Sequence, residues 1–182
     1  MMSQSSPRNQ PATKLYPPLD FLPVGRVVWA KFADHPPDFI LRARARARGR
    51  KRAGVLYEAR VHEHLAEVTQ FYMPGPWIVF MEEGSARKRW SQPDALILDF
   101  VRGRCTTVEI KLKHTDRAWW QVRKQYEPLL RYLLGQYWQF AALEVAQWID
   151  PHTPFPEAIH WTQSPAEVPI EAFGVYQFSG RR

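Results

Sequence analysis

The spacing of apolar positions changes several times along the 182-residue chain. From about Arg50 to Gln70, Val55, Leu56, Ala59, Leu65, Ala66 and Val68 recur at helical intervals, which predicts a helix over that span. Pro74-Gly75-Pro76 stops any continuation, and Trp77 to Met81 is a short β-prone run that reads as a strand. Glu82-Glu83-Gly84-Ser85 reads as a turn and Ala86 to Gln92 as a charged connection. Two further strands, Ala95–Val101 and Cys105–Lys113, flank Arg102-Gly103-Arg104 and predict a hairpin. In its second strand Val108, Ile110 and Leu112 alternate with Glu109, Lys111 and Lys113. The apolar side therefore meets a core, and the charged side faces a cleft or solvent.

A second helix is expected from about Asp116 to Leu134, with Asp116 as its cap, Gly135 past its end and Pro128 as an internal kink. Tyr137 to Trp148 is apolar and aromatic and contains a further strand. Upstream, Val24–Phe32 reads as a short extended piece, and Met1 to about Pro23, broken by five prolines, as an arm. Five prolines between Pro151 and Pro169 mark an irregular tail, with Val175–Phe178 as an added edge strand. The order helix, three strands, helix, strand defines an α/β domain with a mixed sheet. Its core is expected at residues 50–150, between an N-terminal extension at 1–49 and a C-terminal extension at 151–182 that packs on it.

Charge adds a location. The formal net charge is +7, and Arg42, Arg44, Arg46, Arg48, Arg50, Lys51 and Arg52 supply seven positive charges with no acid among them. The remainder of the chain is formally neutral, so the basic excess marks one local site for a polyanion, DNA before RNA. Other classes fall away. Cys105 is the only cysteine, which excludes an intramolecular disulfide framework and a multi-cysteine zinc site. No glycine falls into a phosphate-binding or dinucleotide fingerprint, so neither ATP nor NAD is expected. Leu129 to Trp148 is interrupted by Arg131, Gln136, Gln139 and Glu144, which disfavours a membrane span. The polar N-terminus lacks the apolar core of a signal peptide, and a cytoplasmic location is expected.

The chemistry gathers on the hairpin. Pro93-Asp94 opens its first strand and Glu109-Ile110-Lys111 lies in its second, so the carboxylates of Asp94 and Glu109 can converge at one end of the sheet. Two adjacent carboxylates repel unless a cation lies between them, and a hard divalent ion with oxygen ligands, Mg²⁺ or Mn²⁺, fits that need. Lys111 shares the strand face of Glu109 and can reach a metal-bound water or a phosphate. Glu58, on the preceding helix, adds a third carboxylate through water. Without such a role, Glu109, Lys111 and Lys113 are the solvated side of a hairpin, Asp94 is a turn residue and Glu58 an exposed helix acid.

Pro93-Asp94 followed by Glu109-Ile110-Lys111 resembles the signature of the PD-(D/E)XK nuclease superfamily, and the order of elements from about Arg50 to Trp148 resembles its restriction-endonuclease-like αβββαβ core. Glu58, within Gly54-Val55-Leu56-Tyr57-Glu58, is similar to the acidic residue on the first helix of many members. The resemblance implies that Asp94, Glu109 and the Ile110 carbonyl bind Mg²⁺, that Glu58 supports the metal or its water, and that Lys111 orients or activates the attacking water. The implied activity is Mg-dependent hydrolysis of DNA phosphodiester bonds, by an endo- or exodeoxyribonuclease with no covalent intermediate. Nucleases of this size often act as homodimers, and small members occur in phages and mobile elements. Some exonuclease-like members carry Gln-x-x-x-Tyr on the following helix. Here Gln121 is followed four residues on by Gln125, and Gln125 by Leu129, so that spacing is absent. Gln121, Gln125 and His114 remain candidates for contacts around the site. His62 and His64 are surface or packing residues. Trp77, Trp90, Trp119 and Trp120 are candidates for stacking on bases. The rival reading is a nucleic-acid-binding or phage structural protein that keeps such a fold without cleavage.

Overall fold

The computed structural model describes residues 23–42, 52–150 and 152–180. Arg44, Arg46, Arg48, Arg50 and Lys51, like residues 1–22 of the N-terminal extension, lie outside them. Six strands form the central sheet: β2 (Tyr72–Pro74), β5 (Ala95–Asp99), β6 (Arg104–Lys113), β7 (Gln139–Trp148), β9 (Phe173–Gln177) and β8 (Ile159–Thr162), in that spatial order. The β2–β5–β6 part is an antiparallel meander, while β6, β7, β9 and β8 run parallel to one another. A second, three-stranded antiparallel sheet joins β1 (Val27–Ala33), β3 (Trp77–Glu82) and β4 (Arg89–Ser91). The protein is thus mixed α/β.

Helix α1 (Arg52–Val68) covers one face of the central sheet, burying Tyr57, Val61 and Leu65 against Val108, Ile110, Leu143 and Val145. The opposite face carries α2 (Asp116–Gln121), a wide π-type turn (Val122–Tyr126) and α3 (Glu127–Leu134). Ala118, Val122, Tyr126, Leu129 and Leu130 pack there on Leu96, Leu98, Cys105, Phe140 and Ala142, and Ile78 and Phe80 of β3 close the same cluster. Burying each of the larger aliphatic or phenylalanine side chains, such as Leu129, Leu130 and Phe140, contributes roughly 1.5–3 kcal/mol before chain entropy is counted. The charged face of β6 is therefore roofed by helices rather than open to water.

Several sequence expectations need correcting. The strand Trp77–Met81 forms, but in the smaller sheet. The meander takes its first strand from Tyr72–Pro74, which runs into the Pro74-Gly75-Pro76 stop and was not expected. The charged connection contains β4. The tail is not irregular: it supplies β8 and β9, and β9 lies inside the sheet, between β7 and β8. The strand expected at Val175–Phe178 forms as β9, whereas β8 and the interior place of β9 were hidden because parallel addition is decided by long-range pairing rather than by local turns. Thr115, not Asp116, caps α2: its hydroxyl accepts from the Arg117 N–H at 3.2 Å. Pro128 acts as expected, but by widening a turn. It has no N–H to give the carbonyl of Lys124, and the Val24 N–H takes that acceptor at 2.8 Å. The wide turn just upstream absorbs the disturbance, with the Glu127 N–H bonded to the Val122 carbonyl.

Candidate active site

Asp94 stands where the chain leaves the small sheet for the large one, held by Pro74-Gly75-Pro76. The Gly75 N–H donates to the Asp94 carbonyl at 2.8 Å, and the Gln92 side-chain amide donates to the Gly75 carbonyl at 2.5 Å. Gly75 has φ +43°, and a Cβ there would meet the Gln92 amide nitrogen at 2.8 Å, so the clamp favours glycine. The Asp94 carboxylate turns toward β6, where Oδ2 accepts from the Ile110 N–H at 2.7 Å. Burial raises its pKa above the ordinary aspartate range, against the opposing pull of Lys111 and the Ile110 N–H.

Ala95 pairs with Val108, so the antiparallel ladder brings Asp94 opposite Glu109. The Glu109 side chain is almost wholly buried and its Oε1 is ion-paired with Lys111 Nζ. That ammonium also donates to Gln121 Oε1 at 2.7 Å. Burial by itself would lower the pKa of Lys111; the charges of Glu109, Asp94 and Glu144 outweigh it, and the pKa is raised. Lys111 thus remains a cation among three acids. Among the described residues, no group of three or more His, Cys, Asp or Glu side chains is close enough to hold a metal by itself.

Glu144 was not singled out from the sequence, although a lone carboxylate inside an apolar strand was its signal. It is fully buried, pairs in register with Glu109 across β6 and β7, and takes a 2.6 Å hydrogen bond between its Oε2 and His114 Nδ1. The Thr115 N–H reaches its Oε1 at 3.3 Å. Burial raises its pKa, opposed by His114, Thr115 and Lys111. His114 is itself buried and stacks on Phe155; its Nε2 has no hydrogen-bond partner among the described residues.

Glu58 comes from the α1 layer and reaches the rim of the site. Its Oε1 lies 3.7 Å from His62 Nε2, and His62 Nδ1 is hydrogen-bonded to the Tyr72 hydroxyl. Glu58 contributes to raising the pKa of Asp94. Tyr72 has a strongly raised pKa from burial and from the charges of Asp94 and Glu58, so its phenol stays protonated. Sequence reading missed Tyr72 because β2 was missed, and it kept His62 apart from the chemistry. His64 points elsewhere, hydrogen-bonding the Tyr176 hydroxyl at 2.9 Å and stacking on Phe178.

Gln121 is buried on the roof, accepting from Lys111 and donating to the Tyr126 hydroxyl at 3.2 Å. The wide turn carries the extra residue that brings Tyr126, five positions on, back to Gln121. Gln125 does not join the site: its amide nitrogen donates to Ser91 of the small sheet at 3.0 Å. Lys113 is exposed at the end of β6. Arg42 is exposed in a helical turn at 38–42 and lies 3.9 Å from Asp38, and Arg52 opens α1. Trp119 donates to Glu157 at 2.8 Å, and Lys124 Nζ lies over both the Trp119 and Trp120 rings, while Trp77 and Trp90 pack edge to face. No helix among the described residues is long and apolar enough to cross a membrane.

No protein-family model matches the chain, and neither do any curated protein or solved structure.

Proposed function

We propose that the protein is a metal-dependent nuclease of the PD-(D/E)XK kind, acting on DNA. The observation that carries this is the convergence of Asp94 and Glu109, from paired strands, on the buried ammonium of Lys111. The order α1, β2, β5, β6, α2–α3, β7, with β6 antiparallel to β5 and parallel to β7, supports a restriction-endonuclease-like core. The Gln121–Tyr126 bond holds the side chain whose Oε1 accepts from Lys111.

The donor set suits Mg²⁺ or Mn²⁺. Ions of this class are bound through one or two carboxylates and keep several waters, so Asp94, Glu109 and the Ile110 carbonyl suffice, with Glu58 reaching in through water. The bound ion supplies Lewis-acid polarisation of the phosphate and a more acidic water. Lys111 places its charge where negative charge grows on the phosphate oxygens, and its bonds to Glu109 and Gln121 fix that position before substrate arrives. Glu58, with His62 beside it, would support the metal or its bound water. The arm from Arg42 to Arg52 leads into the helix bearing Glu58 and would hold the DNA backbone without reading its sequence. The rival reading, a nucleic-acid-binding or phage structural protein without cleavage, draws on the same ion pair, in which Lys111 already neutralises Glu109.

The test is incubation with plasmid, linear, single-stranded and branched DNA, with and without Mg²⁺ or Mn²⁺, beside Asp94→Ala and Lys111→Ala. Metal-dependent cutting lost in both variants is the expected result. Binding without cutting on every substrate and metal supports the rival.

A further inference from the structure

An open cleft of about 610 Å³ lies at the C-terminal ends of β7, β9 and β8, lined by Ile149, Trp161, Thr162, Gln163, Val175 and Gln177 together with Ser179. We infer that it is a stacking subsite for an unpaired nucleobase, with Trp161 as the platform. The inference rests on the nucleic-acid reading above and deepens it, because it makes a single-stranded segment part of the substrate.

The lining chemistry fits a base better than a phosphate. No charged side chain lines the cleft. The Trp161 indole is half exposed and lines the cleft, so its face is available to a ring. Gln163 is exposed at the rim, and its amide carries both donor and acceptor, the complement of a base edge. An aromatic face accepts any base by stacking, while amides fix its plane.

Position ties the cleft to the chemistry. Open α/β sheets bind ligands at the C-terminal ends of their parallel strands. Lys111 and Lys113 occupy that end of β6, and β9 and β8 lie two and three strands away, about 10 and 14 Å at ordinary strand spacing. Trp161 pairs in register with Val175, which belongs to the cluster under α2 and α3, so the cleft opens on the face that carries Glu109. The Trp161 ring also tilts against His114 at 6.2 Å, and His114 holds Glu144 beside Glu109. A strand whose phosphate lies at Lys111 would reach Trp161 within a few nucleotides.

Binding of a labelled oligo(dT) strand and of a blunt duplex hairpin to the full-length chain in EDTA, followed by anisotropy, tests this without cleavage. Trp161→Ala is expected to weaken single-strand binding roughly 5- to 100-fold, with the duplex little changed and Trp161→Phe close to wild type. Gln163→Ala, on an exposed side chain that can be lost without unfolding, is expected to weaken it about 2- to 10-fold. Tyr137→Ala, exposed at the other end of the sheet, is expected to leave it unchanged. Single-strand affinity that survives Trp161→Ala and Gln163→Ala overturns the subsite, as does an equal loss on strand and duplex. Cleavage in Mg²⁺ is scored on the same preparations. Cutting that persists while the Trp161 effect is absent refutes the subsite alone. A Trp161 effect without cutting in any metal refutes the nuclease and leaves the subsite standing.

Discussion

Replacing Lys111 with methionine keeps the length of the side chain and removes its charge. In the wild type that charge lies among Glu109, Asp94 and Glu144, with less than a quarter of the side chain exposed. Removing one partner of a buried ion pair typically costs about 3–5 kcal/mol, because the remaining charge is left uncompensated. At a chain of this size, where 1 kcal/mol shifts the midpoint by about 2–4 °C, even the lower figure means a fall in Tm of roughly 6–12 °C. The loss has a pH signature. Asp94 and Glu144 already have raised pKa values, so the folded state holds their protons more tightly than the unfolded chain does. Stability from these groups is present at low pH and declines as pH rises through their folded pKa values. Lys111 opposes both shifts, so its removal raises the two pKa values further and steepens the decline. Urea unfolding of wild type and Lys111→Met at pH 5 and pH 7.5 measures this. The gap between the proteins is expected to be large at pH 7.5 and to shrink at pH 5. A variant within about 0.5 kcal/mol of wild type at both pH values, the range of an ordinary surface substitution, would falsify the bridging role of Lys111.

The other predictions follow from separate parts of the molecule. Replacing Arg42, Arg44, Arg46 and Arg48 with alanine is expected to weaken DNA binding and to reduce the slope of log affinity against log salt by up to about 3 to 4; an unchanged slope removes the arm from the interface. Glu144→Ala is expected to lose about 1–3 kcal/mol in urea unfolding by leaving the buried His114 Nδ1 without its partner, whereas Glu144→Gln, which can keep a hydrogen bond, loses less. Equal losses in the two variants contradict the paired arrangement. Cys105 is buried and its pKa is pushed up to about 12 by burial, so a thiol reagent at pH 8 is expected to label it only as fast as the protein unfolds. Rapid labelling of the folded protein refutes the placement of β6 in the core.

The hairpin and both helices were legible because their signals are local: alternation in β6, helical spacing in α1, and Gly103 in the turn between paired runs. That locality also exposed Asp94, Glu109 and Lys111, since antiparallel neighbours joined by a short turn must meet. What escaped depends on distance or on an extra residue. β2 is three residues long and ends in Pro74, which reads as a breaker, so Tyr72 was lost with it. The run Val175–Phe178 announced β9, but its entry between β7 and β8 rests on parallel pairing that no local signal carries. The Gln121–Tyr126 bond was hidden because a regular helix brings residue i to i+4, whereas the wide turn before Pro128 brings i to i+5. Glu144 fell between these cases: its burial was readable from the apolar run around it, but its meeting with Glu109 required the parallel register.

The most direct measurement is the single-turnover cleavage rate of an end-labelled duplex carrying a single-stranded tail, in Mg²⁺ and in EDTA, for wild type and Asp94→Asn. Metal-dependent product from the wild type, slowed at least about 100-fold in a variant that melts like wild type, is the predicted result. Equal rates for the two proteins, or no product from the wild type with any divalent ion, would contradict a hydrolytic site at Asp94, Glu109 and Lys111.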